Sequence, residues 1–181
     1  PAGAWKKLIQ DFLMYERSPT PYFHQVGHIF LEFLAARTDL WKPVCPFLAE
    51  LMHLEFSEMS LAIAADEIPF KNERALSFND TRLSISVLAW ALLYEYPVHK
   101  ILSSGEELPA SEFPICLLLW RSEDYEINRC ELAPLAFAVV EMLQAGKGIT
   151  GEKVLQNLYE KLPHLEMDYL QQQGRATLQY L

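Results

Sequence analysis

The chain has 181 residues, 51% of them hydrophobic and 22% charged, which excludes a wholly disordered protein and allows one large domain or two small ones. Its net charge of −9 is spread over both halves: five Lys/Arg against nine Asp/Glu up to Phe70, and ten against fifteen from Lys71 onward. Non-specific nucleic-acid affinity comes from Lys and Arg neutralising phosphates, so a broad nucleic-acid-binding field is excluded and only a local patch is left open.

Cys45, Cys116 and Cys130 form no CxxC pair. They read as small buried side chains in a reducing, cytoplasmic setting rather than as a disulfide framework or a zinc site. No apolar run approaches the ~18 residues of a membrane helix, and no signal-peptide pattern opens the chain. The start at Pro1, without methionine, implies a fragment or the ordered part of a longer protein.

From Ala4 to Glu16, Trp5, Leu8, Ile9, Phe12 and Leu13 recur at helical spacing. Pro19 and Pro21 break that helix. A second runs from about Pro21 to Ala36, with Thr20 as N-cap and Phe23, Val26, Phe30, Phe33 and Leu34 on its core face. Gly27 lies in that stripe and allows a close helix contact. Thr38 to Pro46 is a connection. The next helix, Pro46 to Ala65, places Glu50, His53, Ser57 and Ser60 on one stripe, read as the solvent face. Leu48, Leu51, Met52, Met59, Ala62 and Ile63 are read as buried. Asp66 to Asn79 is polar, lacks periodicity and reads as the connection between domains, where limited proteolysis should cut first.

The only clear strand-like runs follow. Trp90 to Tyr96 alternates, and Pro97 marks a strand end. Phe113 to Arg121 is nearly all apolar and reads as a central strand. Ser122-Glu123-Asp124 turns the chain into Tyr125 to Leu132, whose polar alternation fits an edge, and the pair reads as an antiparallel hairpin. Helices return at Pro134 to Ala145, at Gly151 to Leu162 with Thr150 as N-cap and Val154, Leu155, Leu158 and Tyr159 inward, and at His164 to about Gln179, carrying Leu165, Tyr169, Leu170 and Leu178. Gly174 weakens the last helix by ~1 kcal/mol relative to alanine. The fold class is α+β: an N-terminal helical bundle (1–67), a linker (68–81), and a winged-helix-like domain (82–181) with a small antiparallel sheet and three helices.

Candidate chemistry is thin. His24, His28 and Glu32, spaced four apart, share a helix face as metal ligands must, with His53 and Glu55 as further donors. HExxH is absent, and the group reads as polar residues flanking the core. Glu55 lies about 140° around its helix from Glu50, away from the solvent stripe, where a carboxylate must be paired or raised in pKa. It reads more readily as a packing device than as a catalyst. His99 is a lone histidine at a strand end. With seven glycines and no GxSxG, phosphate loop or dinucleotide fingerprint, the chain reads as a non-enzyme without a cofactor or bound metal.

Trp5-x-x-Leu8-Ile9-x-x-Phe12, Thr20-Pro21-Tyr22-Phe23, Phe30-Leu31-Glu32-Phe33-Leu34, Pro46 to Phe56, and Tyr94-Glu95-Tyr96-Pro97-Val98-His99 occur in an order that resembles a bacterial two-domain family of uncertain function. Its helical N-terminal domain carries a DNA-binding label. That domain normally starts earlier, with a basic, arginine- and asparagine-containing segment that this sequence lacks. The family is similar to the partner proteins, such as MbnC, of multinuclear non-haem iron enzymes that modify ribosomally made peptides. The resemblance implies a non-catalytic accessory protein that binds such an enzyme and its precursor peptide, the iron ligands belonging to the enzyme.

Three strands followed by three helices suit capture of a peptide as an added strand. The strand Tyr125 to Leu132 is the expected edge. Tyr125, Ile127 and Arg129 are read as sharing one face, opposite Glu126 and Asn128, with Tyr169 and Gln172 of the last helix beside the peptide. The alternative is a DNA-binding transcriptional regulator. Its contacts would be Lys153, Asn157, Lys161 and Arg175, with Gln156 and Gln171 to Gln173 nearby, set among Glu152, Glu160, Glu166 and Asp168, which repel phosphates.

Overall fold

A computed structural model describes residues 2–15, 22–66, 82–145 and 148–180. It is an α+β protein with N-terminal helices and a C-terminal sheet domain. In chain order the elements are α1 (Ala2–Tyr15), α2 (Phe23–Ala36), α3 (Thr38–Trp41), α4 (Leu48–Ile63), β1 (Arg82–Leu83), β2 (Ala89–Tyr94), α5 (Val98–Ser104), β3 (Ile115–Arg121), β4 (Ile127–Leu132), α6 (Pro134–Ala145), β5 (Ile149–Thr150), α7 (Gly151–Lys161) and α8 (Met167–Tyr180). They group into two compact units. One joins the residues up to Ile63 with Tyr94–Ile115; the other joins Ala64–Leu93 with the residues from Cys116 onward. The units are therefore not consecutive stretches divided between 67 and 82, because Tyr94–Ile115 packs with the helices of the first. The expected linker, 68–81, lies outside the described residues.

In the first unit, Leu8, Phe12, Phe30, Phe33, Leu34, Trp41 and Leu48 form one core. Phe12 meets Phe30 edge-on at 4.9 Å between ring centroids. The expected connection after Thr38 contains α3 instead. Trp41 is buried there and its Nε1 donates to Leu34 O at 2.8 Å, so the indole closes the end of α2. Helix α2 starts at Phe23 behind an extended Tyr22, later than expected; Thr20 and Pro21 lie outside the described residues. A Cβ on Gly27 would stand 2.5 Å from Phe56 Cδ2, so the absent side chain lets α2 approach α4, as its place in the stripe implied.

The stripe on α4 read as solvent-facing does not face solvent throughout. Ser57 is buried, and Glu50 is half-buried where Glu95 and Tyr96 lie against it; His53 is exposed as expected, with its ring bonded to Tyr94. Glu55, Ala62 and Ile63 are exposed, and Leu13 of α1 is 65% exposed, so amphipathic patterning placed these four wrongly. A periodic pattern identifies a face but not what covers it.

In the second unit, the strand order β2-β3-β4 places β3 centrally, as its apolar run requires. β3 and β4 form the expected antiparallel hairpin, with Leu118 opposite Cys130 and Leu119 opposite Arg129. Leu118, Trp120, Cys130 and Leu132 lie on one face with Ala89 and Val140 of α6. β1 pairs with β5, and Thr150 then caps α7 by accepting from Lys153 N at 3.3 Å. Val139, Met142, Leu143, Val154, Leu155 and Leu158 fill the space between α6 and α7. Tyr159, expected inward, is 41% exposed. Gly174 is buried, and a Cβ there would lie 2.5 Å from Leu155 Cδ2, so the residue that weakens α8 admits its contact with α7.

Candidate functional site

The hairpin β3–β4 carries the candidate peptide edge. Ser122 N donates to Glu126 O at 2.9 Å and Tyr125 N to Ser122 O at 3.0 Å, which closes the turn. Tyr125 takes φ 64, a left-handed conformation that costs a bulky residue on the order of 1–3 kcal/mol. Its ring is 77% exposed and lies 5.5 Å from the Arg121 guanidinium carbon. Tyr125 thus belongs to the turn rather than to the strand face on which sequence alternation set it with Ile127 and Arg129.

The next pair is Arg121 and Ile127. Antiparallel pairs alternate between bonded and non-bonded, and Ser122–Glu126 is a bonded one. Arg121 accordingly gives its N–H to Leu88 O at 3.0 Å, and Ile127 directs its own N–H and C=O to the outer side of the sheet. Among the described residues β4 is the last strand on that side. The helix packed on β4 is α6; α8 packs on α6 and α7. Tyr169 and Gln172 are exposed on α8. Tyr125, Ile127 and Arg129 are therefore brought together by one hairpin, while Tyr169 and Gln172 sit on α8, which packs on α6 and α7.

Sequence reading missed Arg121. It is buried, and Nη1 and Nη2 donate to Ala64 O and Asp66 O, each at 2.7 Å. One guanidinium thus anchors the backbone after α4 and supports the Tyr125 ring. The signal was an arginine ending an otherwise apolar strand, since a charge there must find partners.

The candidate DNA contacts are dispersed over two helices. Lys153 and Lys161 are exposed on α7, Asn157 is half-buried, and Arg175 is exposed on α8. Lys153 Nζ donates to Gln156 Oε1 at 3.0 Å, and Gln156 Nε2 donates to Glu160 Oε1 at 3.2 Å. The exposed surface of α7 alternates in sign, with Glu152 and Glu160 beside the lysines.

In the first unit, the Glu50 carboxylate accepts from Glu95 N and Tyr96 N, both at 2.9 Å. His53 Nδ1 lies 2.9 Å from Tyr94 Oη. Burial, reinforced by the Glu50 charge, pushes the Tyr94 phenol above its ordinary range; burial pushes His53 down, opposed by Glu50. The group fastens the Tyr94 segment to α4. His28 pairs with Glu32 at 3.3 Å on an exposed face and stacks on Phe56, while the His24 side chain lies outside the described residues. Glu55 is exposed. Among the described residues no three His, Cys, Asp or Glu side chains gather into a metal site. His99, read at a strand end, lies within α5. Among the described residues no helix is long and apolar enough to cross a membrane.

The architecture defines an α+β protein that combines a helical unit with a small sheet whose last strand follows a strained hairpin tip. The family model of the HvfC C-terminal domain matches residues 86–181, more than half of the sequence. The chain belongs to the HvfC family. No curated protein matches it significantly.

Proposed function

We propose that this HvfC-family chain is a non-catalytic accessory protein that captures a ribosomal precursor peptide along β4 and delivers it to a multinuclear non-haem iron enzyme. The observation that carries the reading is the outward-directed backbone of Ile127 on the last strand of the sheet, beside the strained and exposed Tyr125. Strand addition uses main-chain hydrogen bonds and needs neither a catalytic cluster nor a positive field, which suits a chain of net charge −9. The resemblance to MbnC-type partners supplies the class of enzyme and substrate.

The gene beside this one should encode an iron-dependent barrel enzyme and a short precursor peptide. Co-expression should yield a complex with that enzyme, and titration calorimetry should show peptide binding. If neither neighbour binds, the proposal fails. The other reading, a DNA-binding regulator acting through Lys153, Asn157, Lys161 and Arg175, predicts a gel shift at low salt and micromolar protein. The sign-alternating surface of α7 does not favour it.

A further inference from the structure

The first unit contains a cavity of about 250 Å³ that the peptide reading leaves unused. Trp5 and Leu8 of α1, Leu40 of α3, and Val44 and Cys45 after it form most of its wall, and Glu107 completes it. The volume falls below the roughly 300–1,000 Å³ of drug-sized sites, so it accommodates a small molecule or a single side chain.

The lining has two characters. Trp5 is 44% exposed and Val44 43% exposed, so large apolar groups meet solvent at this cavity. The Trp5 ring is held edge-on to Phe30, 6.2 Å between centroids at 89°, which fixes a flat aromatic wall. Glu107 supplies a carboxylate, and among the described residues no Lys, Arg or His side chain lines the cavity. Burial first, and then the Glu107 charge, push the half-buried Cys45 thiol up, opposed by the charge of the chain's amino terminus. An anionic ligand would be repelled, and a neutral apolar ligand would leave the carboxylate unused.

From this apolar wall opposed by one carboxylate, we infer that the cavity binds a primary ammonium attached to an apolar or aromatic body. The body replaces water against Trp5, Leu8 and Leu40, and the ammonium donates to Glu107. Such a group occurs in a free arylalkylamine and at the N-terminal residue of a peptide. The inference is independent of the β4 edge.

Phenethylamine titrated into the whole chain should shift the NMR signals of the Trp5 indole and the Leu40 and Val44 methyl groups, saturating at millimolar concentration. 3-Phenylpropionate, of similar shape and opposite charge, should bind at least about fivefold more weakly, the scale of one exposed ion pair. Glu107→Gln should remove that preference; Glu107 is exposed, so folding is preserved. Tighter binding of phenylalanyl-glycinamide than of phenethylamine would assign the site to a peptide terminus, and the reverse to a free amine. Equal binding of amine and carboxylate by the wild type, an amine preference that survives Glu107→Gln, or shifts confined to other residues would overturn the inference. Absence of any shift at about 10 mM amine would overturn it too.

Discussion

The backbone is left over at the end of a strand in two places, and the protein treats them differently. After β2, the N–H groups of Glu95 and Tyr96 are taken by one carboxylate from α4, Glu50, and Tyr94 is tied to His53. Along β4, Ile127 directs its N–H and C=O outward on the last strand of the sheet. The first backbone has been closed by a side chain and serves structure. The second keeps the geometry that another strand requires, and the cost of Tyr125 in a left-handed turn falls beside it.

The most forceful way to break this contrast is Ile127→Pro. It removes an outward donor and sets a ring where an added strand would lie, so peptide capture should weaken by about a hundredfold. The donor is not one of the bonds to β3, so circular dichroism and thermal midpoint should stay close to wild type. A folded variant that binds with unchanged affinity, measured by calorimetry, would locate the site elsewhere.

Glu50→Ala tests the closed backbone. Two N–H groups lose a charged acceptor, which should destabilise the protein by about 2 kcal/mol in denaturant titration, with Glu50→Gln recovering part of the loss. Peptide affinity of the folded variant should not change. A fall in affinity matching that of Ile127→Pro would show that the two backbones are not independent.

The helix crossings sharpen the comparison further. Alanine at Gly27 drives its Cβ into the rigid Phe56 ring, whereas alanine at Gly174 meets the movable end of Leu155 and gains about 1 kcal/mol of helix propensity. Gly27→Ala should therefore cost about 1–2 kcal/mol while Gly174→Ala stays near neutral, read from chemical denaturation.

The smallest effect concerns His53. Its folded pKa is depressed by burial from the ordinary 6.5, so the unfolded state binds more protons as the pH falls. The stability this adds is present above 6.5 and is lost as the pH drops through the depressed value. Wild type should lose stability relative to His53→Gln between pH 7 and 5, and parallel stability curves for the two proteins would dismiss the effect.

The sequence by itself determined what depends on local preference and on period. Thr150 as N-cap, Pro134 opening α6, the unbroken apolar run of central β3, the hairpin at Ser122-Glu123-Asp124, and the small side chain of Gly27 were all legible there. Each is decided by backbone geometry or by a face that must be buried. Only the tertiary structure decided what met those faces. Period alone sent Glu50 and Ser57 to solvent and Glu55 inward, because helical spacing contains no information that Tyr94 to Tyr96 lies against α4. It likewise treated Tyr125 as a strand residue, since only the closed turn fixes its φ, and it was silent on Arg121, whose partners lie 55 and 57 positions away. Contacts at such separation are set by how the elements pack, and a single chain's local pattern does not encode them.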